Sequence, residues 1–153
     1  MSGAGARAWR LAGALCGLVV VLDQAAKALV EANLLPGEEV DVLGPLSIAL
    51  SHNSGVAFGL ASGGGTGLVL LVGLALAVVA YLFAQNPTRW GMWAAAGLLA
   101  GGALGNLADR IRADAVTDYI QVGAWPAFNL ADVAVTAGVL LLAASYLREG
   151  ATR

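Results

Sequence analysis

Two long stretches of the sequence carry no Asp, Glu, Lys or Arg: residues 42–88 and residues 90–108. The second stretch alone approaches the ~20 apolar residues that a helix needs to cross a bilayer. The whole chain is 59% hydrophobic and 12% charged, whereas a soluble domain carries about a quarter charged residues. The sequence therefore indicates an integral membrane protein and argues against a soluble enzyme or a disordered chain.

Residues 40–88 show three successive patterns. Alternating apolar residues between Val40 and Leu50 predict short strands, and the glycines between positions 63 and 67 predict a break. The apolar run from Leu68 to Phe83 predicts a span. We therefore expect an all-α membrane protein in a single domain, residues 1–153, with a small extracytoplasmic β-sheet segment and four transmembrane helices, at about 11–30, 68–84, 90–108 and 132–147.

The arginines of the short connections predict the orientation, because Lys and Arg concentrate on the cytoplasmic side. Five of them fall on one side of the predicted bundle: Arg7, Arg10, Arg89, Arg148 and Arg153. Both termini are therefore expected in the cytoplasm, with segments 31–67 and 109–131 on the opposite side. Arg110 and Arg112 lie in the second of these segments, against the rule, and this makes them candidates for a functional role.

Gly97, Gly101 and Gly105 repeat at four-residue spacing within the third predicted span. Small residues at this spacing let two helix backbones approach closely in lipid. We expect these glycines to serve helix packing.

Asp23 and Lys27 lie within the first predicted span, four residues apart, and share one face of the helix. A charged side chain at the centre of a bilayer costs ~2.5–3.5 kcal/mol on insertion scales, so such residues are functional candidates. A buried pair that neutralises itself and fixes helix packing explains them better than catalysis, because a paired carboxylate is a poor base.

Three acidic residues lie near the ends of two predicted spans, on the outer side: Asp109, Asp118 and Asp132. Each has a simple structural explanation. Asp132 fits the third position of a helix that Asn129 caps, Asp109 could pair with Arg110, and Asp118 could be a solvated loop carboxylate. All three at one membrane surface are harder to explain by structure alone.

Few side chains in the sequence could act as a catalytic acid or base. Lys27 is the only lysine, His52 is the only histidine, and the single Cys16 excludes a disulfide framework. A zinc site is therefore not expected. Two carboxylates remain, and such a pair can share one proton, so that one activates water while the other protonates a substrate carbonyl.

The motifs resemble those of the lipoprotein signal peptidases (signal peptidase II) over nearly the whole chain. Five strings in the family's order carry the resemblance: Asp23-Gln24 with Lys27, Asn-Ser-Gly-Val-Ala-Phe at 53–58, Gly-Asn-Leu-Ala-Asp-Arg at 105–110, Val-Thr-Asp-Tyr-Ile at 116–120, and Phe-Asn-Leu-Ala-Asp at 128–132. Departures from the family pattern are minor and affect Ala108, Thr117 and Val133.

The resemblance implies an aspartyl protease of the bacterial inner membrane that cuts prolipoproteins before a diacylglyceryl-modified cysteine. It implies Asp118 and Asp132 as the catalytic pair, without metal or organic cofactor. Partners would be lipid-modified prolipoproteins and membrane lipid, with no nucleic acid, and the protein would act as a monomer. Substrate-binding or supporting residues would be Asp23, Lys27, Asn53, Gly55, Asn106, Asp109, Arg110 and Asn129.

We further expect Asp132 to be the ionised base, because a helix N-terminus favours its charge, and Asp118 to be the acid. Two other classes remain open at this level. A small proton- or ion-coupled transporter or channel subunit would use Asp23, Lys27 and Asp132 as a relay. A structural assembly protein would only pack its glycine-rich helices, and would leave Asp118 and Asp132 unexplained.

Overall fold

The computed structural model describes residues 2–54 and 66–150. Gly55, one of the predicted site residues, and the glycines at 63–65 lie outside the described residues. The described part contains four helices and three strands, in the order α1 Gly3–Asn33, β1 Glu39–Leu43, β2 Leu46–Asn53, α2 Thr66–Gln85, α3 Met92–Ala113, β3 Val116–Val122 and α4 Leu130–Gly150.

Within these residues, two helices are long and apolar enough to cross a membrane, Gly3–Asn33 and Leu130–Arg148. A shorter apolar helix covers Val69–Gln85. The prediction of four helices is confirmed, whereas four membrane crossings remain a prediction.

The third helix continues past its predicted end at residue 108 to Ala113, where Asp114 caps it in the left-handed conformation (φ 55°). A span predicted from apolar residues ends at the first charge, but a helix can continue into polar surroundings. Asp109 and Arg110 therefore lie on the last turns of α3, not in the connecting segment.

The three strands form one antiparallel sheet in the order β1-β2-β3. The prediction of short strands between Val40 and Leu50 is confirmed: β1 and β2 cover this segment and pair with each other, with Val40 opposite Ile48. The third strand was missed, since residues 116–122 were interpreted as a polar loop. Their β-branched and aromatic residues are typical of a strand, and the pairing of Ser51 with Asp118 puts that aspartate in the sheet.

The predicted packing role of the α3 glycines is confirmed. A Cβ atom on Gly97 would lie 2.8 Å from the carbonyl oxygen of Ala12, and one on Gly101 would lie 2.7 Å from Cβ of Val19. Only glycine permits this approach of α1 to α3. The close contact brings the polar residues of α1 against the end of α3.

Candidate active site

Asn129 and Asp132 cap the start of α4 reciprocally. Oδ1 of Asn129 accepts a hydrogen bond from the Asp132 backbone N–H at 2.9 Å, and the Asn129 N–H donates to Oδ2 of Asp132 at 3.2 Å. The predicted cap is therefore confirmed, with Asp132 at the third helical position. The positive end of the α4 dipole acts on its carboxylate.

Two side chains from other elements satisfy the remaining free N–H groups at this helix end. Oδ1 of Asp23, a fully buried residue of α1, accepts from the Ala131 N–H at 3.0 Å. The phenol oxygen of Tyr119 hydrogen-bonds the Leu130 amide. Asp23 is thus a second cap for α4, a role that the sequence pattern did not reveal.

Asp118 lies on β3 and is 3% exposed, so the interpretation as a solvated loop carboxylate is wrong. Its Oδ1 accepts from Nδ2 of Asn129 at 2.8 Å, and its Oδ2 accepts from Nδ2 of Asn53 at 3.2 Å. Burial raises the pKa of the Asp118 carboxyl above its ordinary value, and the charge of Asp132 raises it further, while the two asparagines oppose the shift.

Two asparagines connect the carboxyl groups of Asp118 and Asp132. Nδ2 of Asn106 donates to Oδ1 of Asp132 at 2.8 Å, while Oδ1 of Asn106 accepts from Nδ2 of Asn129 at 3.0 Å. Since Asn129 also donates to Asp118, a continuous hydrogen-bonded chain joins the two acids. The connection brings a residue of β3 and a residue of the first turn of α4 into one site.

Lys27 lies behind the hydrogen-bonded path that joins Asp118 to Asp132, and the residue is 3% exposed. Its Nζ lies 2.8 Å from Oδ2 of Asp23, 2.7 Å from Oδ2 of Asp109 and 3.1 Å from Oδ1 of Asn106. The predicted pair of Asp23 and Lys27 is confirmed. In the structure Asp109 pairs with this lysine, not with its neighbour Arg110.

Arg110 lies at the edge of the site and is half-buried. Its Nη1 donates to the Asn106 carbonyl oxygen at 3.3 Å. The positive charge of Arg110 interacts with Asp109, Asp118 and Asp132. Arg110 is thus placed to balance the charge of these three acidic residues.

Three residues near the site were not selected from the sequence. Gln24 donates from Nε2 to Oδ1 of Asp109 at 2.8 Å, and the Thr117 hydroxyl donates to Oε1 of Glu31 at 2.6 Å. Gln24 belongs to the Asp23-Gln24 motif of the family resemblance, and Thr117 is one of the departures from the family pattern. Glu31 lies on the last turns of α1, and nothing in its local sequence indicated a contact with β3.

A groove with a volume of about 530 Å³ runs along α4 from the site. Asp132 is on its wall, and the other lining residues are apolar apart from one threonine: Trp125, Pro126, Ala127, Phe128, Val133, Thr136, Ala137 and Leu140. The α4 members span about two turns of one helix face. The groove therefore connects a carboxylate at the end of the bundle with apolar surface along the helix.

Two aspartates joined through asparagines at one end of a helical bundle fit a membrane enzyme whose chemistry uses a pair of carboxyl groups. A family model described as signal peptidase (SPase) II matches residues 15–148. The chain belongs to the signal peptidase II family. The resemblance seen in the five sequence motifs is confirmed.

Curated relatives agree with this family. The lipoprotein signal peptidase of Dehalococcoides mccartyi is 39% identical over 140 residues, which cover 88% of this chain and 86% of the relative. That of Syntrophomonas wolfei is 41% identical over 137 residues, covering 87% of this chain and 90% of the relative. The chain thus spans most of the length of these relatives.

Two solved structures of a bacterial membrane enzyme, determined by the in meso method, share the fold. One matches with a TM-score of 0.83 and 31% identity, over 89% of this chain and 92% of its own. The other matches with a TM-score of 0.84 and 30% identity, over 93% of this chain and 90% of its own. The helical bundle and its sheet are therefore the architecture of a membrane enzyme.

Proposed function

We propose that Asp118 and Asp132 are the catalytic pair of an aspartyl endopeptidase that removes signal peptides from prolipoproteins. As a member of the signal peptidase II family, the chain is an aspartyl protease of this kind. The observation that carries the assignment of the pair is the hydrogen-bonded path that runs from the Asp118 carboxyl through Asn129 and Asn106 to the Asp132 carboxyl. The two carboxyl groups belong to different elements, β3 and α4, and Asp132 also lines the groove along α4.

The environments of the two acids support different roles. Asp132 lies at the N-terminus of α4, near the positive end of the helix dipole, and both of its oxygens accept hydrogen bonds. Burial raises the pKa of Asp118, which favours its protonated form. We therefore assign Asp132 as the base and Asp118 as the acid, within a pair that titrates as a unit.

The reaction follows from this assignment. Asp132 takes a proton from a water molecule, whose oxygen attacks the carbonyl carbon of the scissile peptide bond. Asp118 gives its proton to the carbonyl oxygen, and a tetrahedral gem-diol forms. The gem-diol collapses when the C–N bond breaks, the leaving nitrogen takes a proton from Asp132, and Asp118 recovers its proton from a hydroxyl of the gem-diol.

The groove along α4 supports the choice of substrate. An apolar groove that ends at Asp132 suits a substrate whose acyl chains stay in the bilayer while its peptide reaches the carboxylate. We propose that the scissile bond precedes a diacylglyceryl-modified cysteine. The substrate then enters the groove from the membrane lipid.

The remaining site residues are proposed to bind substrate or support the pair. Asn53, Asn106 and Asn129 contact the catalytic carboxyl groups directly, and Arg110 balances their charge. Asp23, Lys27 and Asp109 form the buried ionic cluster behind them. Gly55 keeps its proposed substrate-binding role from the family resemblance.

We propose that the protein is a monomer with four spans in the bacterial inner membrane and that both termini are cytoplasmic. Arginines stack on aromatic rings at the end of the bundle away from the site. Arg89 lies 3.9 Å from the ring centre of Tyr146, and Arg148 lies 4.9 Å from that of Trp90. Basic residues are typical of the cytoplasmic interface and aromatic residues of both interfaces, so this arrangement supports an active site near the outer face.

The transporter alternative loses its support. Its relay would need Asp23 and Lys27 to exchange protons or ions, yet both side chains are held in buried hydrogen bonds that tie α1 to α3 and α4. Membership of a peptidase family covering residues 15–148 is incompatible with a transporter subunit as the main function.

The function is tested with purified protein in lipid and two forms of one prolipoprotein, with and without the diacylglyceryl group on the cysteine. We expect cleavage before the lipidated cysteine and none of the unmodified form. Equal rates with and without a strong chelator are expected, since no metal is implied. Failure to cut the lipidated form, or a requirement for added metal, would contradict the proposal.

A further inference from the structure

Lys27 fixes the orientation of a side-chain amide beside the active site. Its three N–H bonds point to three acceptors, on Asp23, Asp109 and Asn106. An ammonium group only donates hydrogen bonds. The atom of Asn106 that faces Lys27 must therefore be its oxygen, whichever way the amide is drawn.

The fixed orientation of the Asn106 amide determines which of its atoms faces Asp132. With its oxygen toward Lys27, Asn106 presents its NH₂ group to Oδ1 of Asp132, at 2.8 Å. The other oxygen of Asp132 accepts from the backbone N–H of Asn129, which can only donate. Both oxygens of Asp132 thus face obligatory donors, and neither of these two partners can accept a hydrogen bond from a protonated carboxyl.

The same rule orients the second amide. Oδ1 of Asn106 also accepts from Asn129, so the atom of Asn129 that faces it must be the nitrogen. That nitrogen donates in turn to Oδ1 of Asp118 at 2.8 Å. Oδ2 of Asp118 faces the side-chain amide of Asn53 at 3.2 Å. This amide carries an acceptor oxygen as well as a donor nitrogen, so a proton on Oδ2 of Asp118 can be accommodated there.

We propose that Lys27 is a positioning residue that keeps Asp132 the ionised member of the pair by fixing the Asn106 amide. The proposal rests on the proposed function of Asp118 and Asp132 and adds how their unequal roles are maintained. Lys27 does not touch substrate in this account. It acts through the hydrogen bond that it donates to Asn106, which in turn makes Asn106 donate to Asp132.

The test is the pH profile of kcat/KM, whose acidic side reports the ionisation of the base. Among the described residues, the charged and titratable groups packed around the pair are Asp23 and Lys27 from α1, Asp109 and Arg110 from α3, and Tyr119 from β3. Removal of Lys27 alone would change the local charge. The double variant Lys27→Met with Asp109→Asn removes one positive and one negative charge and so keeps the net charge.

For this double variant we expect the acidic limb of the profile, where kcat/KM falls as Asp132 is protonated, to shift to higher pH by about one unit. The reason is that Lys27 no longer holds the NH₂ group of Asn106 toward Asp132. Activity should recover toward the parent value at higher pH, with KM unchanged. Asp109→Asn alone is the matched control. It leaves Lys27 and its bond to Asn106 in place and makes the local charge more positive, so the acidic limb should not move upward. Lys27→Arg, also donor-only, should keep the parent limb.

A second variant covers the case in which the double variant does not fold. Asn106→Leu removes the donor to Asp132 and leaves the contacts of Lys27 with Asp23 and Asp109 in place. It should shift the same limb in the same direction. An unshifted limb, or loss of cleavage at every pH in a folded variant, would overturn the role of Lys27. The proposed function itself would fail separately, by cleavage in the absence of Asp118 or Asp132.

Discussion

Asn129 donates a hydrogen bond of 2.8 Å from Nδ2 to Oδ1 of Asp118. The same side chain caps α4 through its oxygen, which accepts from the Asp132 N–H at 2.9 Å. One fully buried asparagine therefore sets the position of both carboxyl groups at once. Asn129 thus links β3 to the start of α4, and substitution of Asn129 tests this link directly.

Asn129→Ala should lower kcat by between about ten- and a hundredfold, since a hydrogen bond to a charged group contributes roughly 1.5–3 kcal/mol. Cleavage assays on folded protein provide the measurement. Asn33→Ala is the matched control, because Asn33 only bonds the Leu29 carbonyl at an exposed helix end. Equal rates for the two variants would mean that Asn129 does not position the pair.

Gly105→Ala should destabilise the bundle, because its Cβ would lie 2.6 Å from Oδ2 of Asp23, the second cap of α4. Overpacking of this kind costs about 1–3 kcal/mol. We expect a lower thermal midpoint in lipid or detergent and reduced cleavage. Gly13→Ala, whose Cβ would meet nothing within 4 Å, should leave the midpoint unchanged or raise it slightly. A tolerated Gly105→Ala would refute the packing account.

The raised pKa of Asp118 predicts a pH-dependent effect on stability. A carboxyl whose pKa is higher in the folded state stabilises the fold below its unfolded pKa and loses this contribution as pH rises through the folded pKa. Asp118→Asn is neutral at every pH. It should therefore unfold at a higher temperature than the parent on the alkaline side, and the difference should vanish on acidification.

Thermal unfolding between about pH 4 and pH 9 measures this difference. Asp114→Asn is the matched control, because Asp114 is an exposed residue in the left-handed conformation that asparagine also adopts. It should follow the parent at each pH. No alkaline gain for Asp118→Asn would indicate that burial does not penalise the charge of Asp118.

The contact between Thr117 and Glu31 should position β3 beside the pair. Thr117 is bound at its hydroxyl by Glu31 and at its N–H by Oδ2 of Asp109, and it directly precedes Asp118. Thr117→Val and Glu31→Ala should each lower kcat, and the double variant should lose less than the sum, with a coupling of about 0.5–3 kcal/mol. Thr88→Val, at an exposed site, is the control. Additive losses would contradict a direct contact.

The parts of the fold that could be predicted are those with a local signal. Apolar runs located the helices, alternation located β1 and β2, and residue types located the cap of Asn129 on α4. The burial of Asp118 and the pairing of Lys27 with Asp109 could not be predicted, because they depend on β3 joining the sheet and on α1 packing against α3. Periodicity carries no information on such long-range contacts, so a local ion pair with Arg110 was the simpler expectation for Asp109.

The measurement that tests the central claim most directly is cleavage of a lipidated prolipoprotein by three aspartate variants, each confirmed as folded by thermal unfolding. Asp118→Asn and Asp132→Asn should each reduce kcat by at least about a hundredfold, because general acid and base catalysis contribute that much. Asp109→Asn alters the contacts of Lys27, Gln24 and Thr117 but leaves both proposed catalytic carboxyl groups in place, so it should retain measurable cleavage. If Asp118→Asn cleaves at the parental rate while Asp109→Asn does not, the pair is Asp109 and Asp132 and the account is wrong.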